Sequence, residues 1–529
     1  MRGVGLRPAE WNANVLGRVR LAAYDYIVIG AGSAGCALAS RLSEDPSGSV
    51  LLLEAGGSDQ DERIFVPHRA WELWTTGFDW GYTTVPQPAA LNRSVYWPRG
   101  KVLGGSSCLN AMIYVRGAPA DYDHWAYLGN VGWDYAGVLP YFKKSEDYYG
   151  GASRYHGVGG PLTISRNTSP NPLTDAFIEG AVRAGHPINH DFSGPELVGV
   201  GYTDTTVRDG RRCSAATAFL APAHNRRNLT VETGARSHRL LIENGRCCGV
   251  VYERDGKLNT VRATSEVVVS AGAIGSPQLL LLSGMGPADD LKKLGIAVQA
   301  DLPGVGQNLH DHLLTFVIHE ASREIPAPKN NILEAHLFAK SDPRLLVPDH
   351  QPLFMCNAPP LPTLEIPANS YAAAPGIIRP AARGELKLAA ADPAAPLHID
   401  PRYLSEPADL NALVHSLEVA IEIMESASFA KWRKRAVWPQ AKTRAERIHW
   451  VRQTCETYHH QAGTCKMGID AMSVVDPQLR VYGIEGLRVA DSSIMPTVVS
   501  GNTNGPSIMI GEKAADLIRQ RKALALDAA

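Results

Sequence analysis

Cysteine is scarce: eight residues in 529, with only Cys247 and Cys248 adjacent and no Cys-x-x-Cys pair. That excludes a disulfide framework and zinc-ligand spacing, and a reducing, cytoplasmic setting fits best. Excess charge is missing as well. Lys and Arg number 52 against 53 Asp and Glu, a formal net charge of -1, so no global field draws the chain to nucleic acid, an anionic membrane or a polyanionic partner. Long apolar runs are nearly absent. The stretch from Val267 to Ala288 holds no charged residue, but Gly272, Gly275, Pro277 and Gly284 interrupt it. It therefore reads as strand, turn and helix rather than as an integral membrane segment. The first residues carry four arginines and no unbroken apolar stretch, so they are read as a tail before the first strand and not as a secretory signal. No solenoid-length repeat is found.

What remains is an ordinary globular composition, 45% hydrophobic and 20% charged, at a length that implies two large lobes or interleaved domains. Tyr24 to Ile29 is a β-branched and aromatic run that predicts a buried parallel strand. Apolar residues at helical spacing follow from Ala34 to Leu42, and VLLLEAGG at 50–57 predicts a second strand ending in an acid. Val267 to Ser270 and Leu487 to Ala490 have the same buried-strand character, so three distant parts of the chain are expected in one parallel sheet. Ser276-Pro277 reads as an N-cap and first residue of a helix. Residues 313–385 are rich in Pro and Ala, 386–404 look like strands joined by a proline turn, and 407–427 show a helical apolar face through Leu410, Leu413, Leu417, Ala420, Ile421 and Met424.

Gly30, Gly32 and Gly35 form GxGxxG between the first strand and the first helix, and Glu54 stands 19 residues beyond Gly35. In that context the first glycine permits a tight turn, the second lets backbone N–H groups approach a pyrophosphate, and the third lets helix and strand pack closely. Ser33, Ala34 and Ala55 belong to the same site. The helix N-terminus stabilises phosphate charge, and Glu54 can accept from both ribose hydroxyls. The motif alone does not separate NAD from FAD.

The rest of the chain separates them. WPRGKVLGGSSCLNAMIYVRG (97–117), VVVSAGAIGSPQLLLLSGMGP (267–287), PGVGQNLHDH (303–312), YHHQAGTCKMG and LRVADSSIMPTVVSGNTNGPSIMIGEKAADLI follow in order. From about Tyr24 to Ile518 the chain closely resembles the glucose-methanol-choline (GMC) oxidoreductase family. Within it, the pattern is similar to bacterial choline and aliphatic alcohol dehydrogenases more than to fungal sugar oxidases. The resemblance implies FAD, alcohol oxidation and a two-lobed α/β (α+β) fold: an FAD-binding Rossmann-like domain with an inserted substrate-binding lobe containing an antiparallel sheet. We expect residues 24–165, 230–312 and 455–522 in the FAD-binding domain and 166–229 and 313–454 in the substrate-binding domain. The resemblance carries Gly104, Asn110 and Met112 over as flavin or pyrophosphate contacts. Ser237 stands where a backbone contact to adenine is common, and Asp491 is either a helix cap or a ligand of the flavin chain. Trp97 occupies the position at which some members link flavin covalently through histidine. Tryptophan cannot form that link, so the FAD is expected to be noncovalent.

Alcohol oxidation removes a proton and a hydride, and neutral histidine is the base suited to neutral pH. His460, in H-x-x-G-T, matches the family's catalytic histidine. His459 is its neighbour, and Gly463-Thr464 sets the register. Asn504 is expected to hydrogen-bond the alcohol oxygen just before a helix that runs from Ser507, with Asn502 and Thr503 donating to the N1–C2=O edge of the flavin. His310 and His312 are read as structural, with no metal. An apolar wall is expected from Phe354, Met355, Pro359 and Pro360, suited to aliphatic or aromatic primary alcohols. The acceptor is O2 or another oxidant. The alternatives are a nonredox or photochemical member of the fold, such as a lyase or a fatty-acid photodecarboxylase, and a flavoprotein retained for binding alone. The intact histidine and asparagine favour alcohol oxidation.

Overall fold

The computed structural model describes residues 22–359, 361 and 364–527. The expected tail up to residue 21 and Pro360 lie outside the described residues. Two sheets organise the molecule. In the first, the strands Leu229–Glu232, Val50–Leu53, Ala23–Ile29, Lys257–Val269 and Leu487–Val489 run parallel in that order. The early part of Lys257–Val269 also pairs with Arg246–Arg254, which in turn pairs with Arg236–Glu243, both antiparallel. The expected joining of three distant segments in one sheet is observed, and the antiparallel extension adds to it.

Register fixes where chemistry can occur. Ile29 lies opposite both Leu53 and Val269, and Val269 lies opposite Val489. The carboxyl ends of four strands are therefore level, and the residues that follow them, among them Gly30, Glu54, Ser270 and Asp491, emerge along one rim. Open α/β sheets bind ligands at that rim.

The second sheet is antiparallel throughout, in the order Arg433–Trp438, Val317–Ala321, Ser370–Ala374, Leu353–Met355, Leu333–Phe338 and Gly199–Tyr202. Its central strands are fully buried. The helix Pro407–Glu425 packs against its Val317–Ala321 and Ser370–Ala374 strands, through the buried Leu413, Leu417, Ala420 and Met424. The proline-turn segment is the hairpin Glu385–Leu388 with Leu397–Asp400.

The charge-free stretch breaks as expected, into the end of a strand, the helix Gly272–Leu282 and the short strand Met285–Gly286. Among the described residues, no helix is long and apolar enough to cross a membrane. The helix start differs from expectation. Ser276-Pro277 is not its beginning: the helix starts at Gly272 and carries Pro277 inside it. Proline lacks the N–H that would bond the carbonyl four residues earlier. That carbonyl belongs to Ala273, and the Thr464 hydroxyl donates to it at 2.6 Å. Tertiary structure thus supplies the missing donor.

Candidate active site

One cavity of about 960 Å³ extends from the rim of the parallel sheet to the inner face of the antiparallel one. At its sheet end the three glycines divide the work as the motif requires. Gly30 has φ +99, and a methyl on it would meet the Ser270 carbonyl oxygen at 2.5 Å. A methyl on Gly35 would run into the Gly30 carbonyl oxygen, which keeps helix Ser33–Leu42 against the strand. The bare face of Gly32 meets open space. Opposite it, Gly105 approaches so closely that its own methyl would lie 2.7 Å from the Gly32 Cα.

Glu54 accepts the Ala31 N–H at 2.9 Å and the Gly56 N–H at 2.8 Å. Burial pushes its carboxyl up to about 7, against the pull of those amides. One N–H on each oxygen leaves lone pairs facing the cavity. Ser237 also lines the cavity, and its hydroxyl is buried with no partner. An open backbone face at Gly32, an acid with spare lone pairs and an orphaned hydroxyl together fit a dinucleotide.

A second helix start meets the first. The helix Asn504–Asp527 begins three residues earlier than the sequence suggests, taking in Gly505 and Pro506. Proline is tolerated there because first-turn N–H groups have no partner within the helix. Ser33, at the start of the first helix, donates its hydroxyl to Asn504 Oδ1 at 2.8 Å. Both positive helix ends thus open on one space.

The far end is built around His460. Asp311 is buried and accepts the His460 N–H at 2.8 Å, the Gln461 amide at 3.0 Å and the Thr457 and Tyr403 hydroxyls, which holds the 457–461 loop in place. His460 Nδ1 lies 2.9 Å from Nδ1 of His312, and its Nε2 lies 3.2 Å from Nδ2 of Asn502. Asn502 Oδ1 accepts from Gln351 at 3.3 Å, and Gln351 also meets His336 Nδ1 at 3.3 Å. Burial, then the neighbouring His312, His459 and Arg99, hold the His460 imidazole well below its usual pKa. It is neutral at neutral pH.

Most expected site residues line this cavity: Gly30, Gly32, Ser33, Ala34, Glu54, Ala55, Asn110, Met112, Ser237, His460, Asp491, Asn502, Thr503 and Asn504. Gly35, Trp97 and Gly104 do not. Gly35 acts through packing, and Gly105 and Ser106 take the lining place expected of Gly104. Trp97 is fully buried against Tyr403, in the strand Tyr96–Trp97, while its neighbours Tyr96 and Pro98 line the cavity. Asn504, expected to hydrogen-bond the alcohol oxygen beside His460, makes no direct contact with that imidazole. Asn504 is engaged by Ser33, and the amide beside His460 is that of Asn502, because the helix starts early and leaves Asn502 in the loop before it.

Asp491 accepts from the Gly272 N–H, the Ser276 hydroxyl and the Ser493 N–H, so it caps and ties helix starts while lining the cavity. His459 also faces the cavity, in a left-handed backbone conformation (φ +66) and edge-on to Trp74. His310 is structural, accepting the Val498 N–H at 2.7 Å. No metal-ligand cluster occurs among the described residues. Sequence reasoning missed the contact of His312 with His460, the cavity position of Arg99 and the support that Gln351 gives Asn502; only the alternation of His310 and His312 hinted that one of them points inward.

The parallel rim, its dinucleotide cradle and the neutral imidazole across the cavity define an oxidoreductase that uses a bound dinucleotide. Residues 24–314 match the N-terminal model of the GMC oxidoreductases, and residues 380–511 match the C-terminal one. The chain is 43% identical to the mitochondrial choline dehydrogenase of Homo sapiens, over 95% of this chain and 90% of that one. It is 42% identical to an oxygen-dependent choline dehydrogenase of Rhizobium etli, over 95% and 96%. Among solved structures, pyridoxine 4-oxidase from Mesorbium loti superposes with a TM-score of 0.91 at 34% identity, covering 94% of this chain and 99% of that one. The chain belongs to the GMC oxidoreductase family, and it is accordingly an FAD-dependent oxidoreductase acting on CH–OH donors.

Proposed function

We propose that this enzyme oxidises an alcohol to the carbonyl compound using noncovalently held FAD, with His460 taking the hydroxyl proton and Asn502 holding the hydroxyl oxygen. The observation that carries this reading is the contact between His460 Nε2 and Asn502 Nδ2, 3.2 Å apart in the cavity that the GxGxxG turn also lines. With the amide N–H directed at it, Nε2 presents a lone pair, and the imidazole proton resides on Nδ1, directed at His312. An entering alcohol can donate its proton to Nε2 and accept the Asn502 N–H at its oxygen. When bound, FAD supplies the hydride acceptor. Ser33, Ala34, Glu54, Ser237 and the 105–106 turn would hold its pyrophosphate and ribose, and the start of helix Asn504–Asp527 would face the ring edge where negative charge gathers on reduction.

Trp97 supports the noncovalent reading, since its side chain is buried against Tyr403 and does not line the cavity. Acid precipitation should therefore release FAD into solution; a yellow pellet would refute it. The alcohol reading is tested by anaerobic mixing with a panel of alcohols while the flavin band is followed, then by admitting O2. Bleaching identifies a substrate, and the speed of recovery separates oxidase from dehydrogenase. A flavin that no alcohol bleaches overturns the proposal.

A further inference from the structure

We infer that the alcohol taken by this cavity is uncharged and has an apolar body, and that the cavity discriminates against quaternary-ammonium alcohols. The inference rests on the alcohol-oxidising reading of the site given above.

A quaternary ammonium carries a permanent charge that no proton transfer can remove. Burying it requires an available carboxylate or an aromatic cage. Three carboxylates line the cavity: Glu54, Glu456 and Asp491. Glu54 stands at the glycine turn, the dinucleotide end, with the Ala31 and Gly56 amides on it. Asp491 is engaged by Gly272, Ser276 and Ser493. Glu456 is ion-paired with Arg93. Burial also pushes the Glu456 carboxyl up to about 7 despite that arginine, which weakens it further as an anion. The half of the cavity next to His460 thus offers no uncommitted carboxylate.

The aromatic side chains that line the cavity are largely engaged with one another: Trp71 packs edge-on to Trp74, Tyr82 stacks on Trp80, and Tyr458 stacks on His460. The Trp80 ring already has Lys101 Nζ at 5.0 Å and the Arg236 guanidinium at 5.6 Å. Trp74 is edge-on to His459, and the Tyr96 hydroxyl is bound to Asp79. Arg99 adds a positive charge to the lining. It donates to the His459 carbonyl, its Nε has no partner, and the carboxylates that act on it, Asp311 and Asp79, do not line the cavity. A second cation entering there meets like charge. The remaining wall, Leu314, Phe316, Leu333, Leu353 and Met355, is apolar and matches a hydrocarbon body.

Choline and 3,3-dimethyl-1-butanol share length and shape and differ only in a positive nitrogen replacing a neutral carbon. The holoenzyme is mixed anaerobically with each, and with benzyl alcohol, and the second-order rate constant of flavin reduction is measured. The better uncharged alcohol is expected to exceed choline by roughly tenfold or more. Choline matching or exceeding it overturns the inference while leaving alcohol oxidation in place. Failure of every alcohol to bleach the flavin removes the alcohol-oxidising reading and the inference with it.

Discussion

His312 Nδ1 lies 2.9 Å from His460 Nδ1, joining two imidazoles 148 residues apart in the chain. Both rings are buried, and burial takes His312 down to about 3. Two cations cannot share that contact, so the pair works as a neutral base backed by a neutral acceptor.

Replacing His460 by Ala should lower the rate of flavin reduction roughly 10²- to 10⁴-fold, the range of a lost general base, with FAD still bound. His459→Ala should lower it far less, because its ring packs on Trp74 rather than on Asn502. Stopped-flow reduction of both variants decides the matter; a larger loss in His459→Ala would move the base to that residue.

The pH profile follows from the depressed His460 pKa. Lowering the pKa preserves the neutral base as pH falls, so reduction should stay level through neutral pH and decline only in acid, with a midpoint below 6.5. His312→Ala removes one of the groups that depress the pKa and should shift this midpoint upward. A His312→Ala profile that coincides with wild type would leave His312 with a packing role only.

Asn502→Ala should slow flavin reduction by roughly 10²-fold if its amide holds the oxygen where charge develops. Asn504→Ala should leave the rate closer to wild type and act mainly on cofactor retention, since Asn504 is tied to Ser33. Rates and FAD dissociation constants measured side by side test the assignment, and the reverse ranking would restore Asn504 as the partner of the base.

Thr464→Val removes the hydroxyl that satisfies the Ala273 carbonyl left free by Pro277. An unsatisfied buried acceptor costs about 1–3 kcal/mol, so the variant should unfold at lower temperature or denaturant concentration. Unchanged stability would show that the carbonyl finds another donor.

Local features were legible in the sequence because their causes are local. The GxGxxG turn, the acid at the end of the second strand and the apolar runs of the parallel sheet each follow from the residues next to them. The Pro-rich insertion showed little periodicity because its strands, such as Ser370–Ala374, are buried on both faces and lack a polar alternation. The choice between Asn502 and Asn504 turned on two residues at a helix start, and Gly and Pro there concealed the early helix. The orientation of Trp97 depended on Tyr403, and the contact of His312 with His460 on a crossing of distant chain segments. No periodicity encodes either.

The close contact of the last helix with the first bears on synthesis. Gly511 has no room for a side chain because the Ala34 carbonyl fills the space. The strand Leu487–Val489 is likewise one wall of the sheet whose first member is Ala23–Ile29. A nascent chain therefore makes the glycine turn long before the covering helix Asn504–Asp527 leaves the ribosome. At about 5–20 residues per second, that interval is tens of seconds or longer, during which the early strands must be kept from pairing elsewhere. A chain that has not yet made that helix lacks one wall of the cavity that would hold a cofactor.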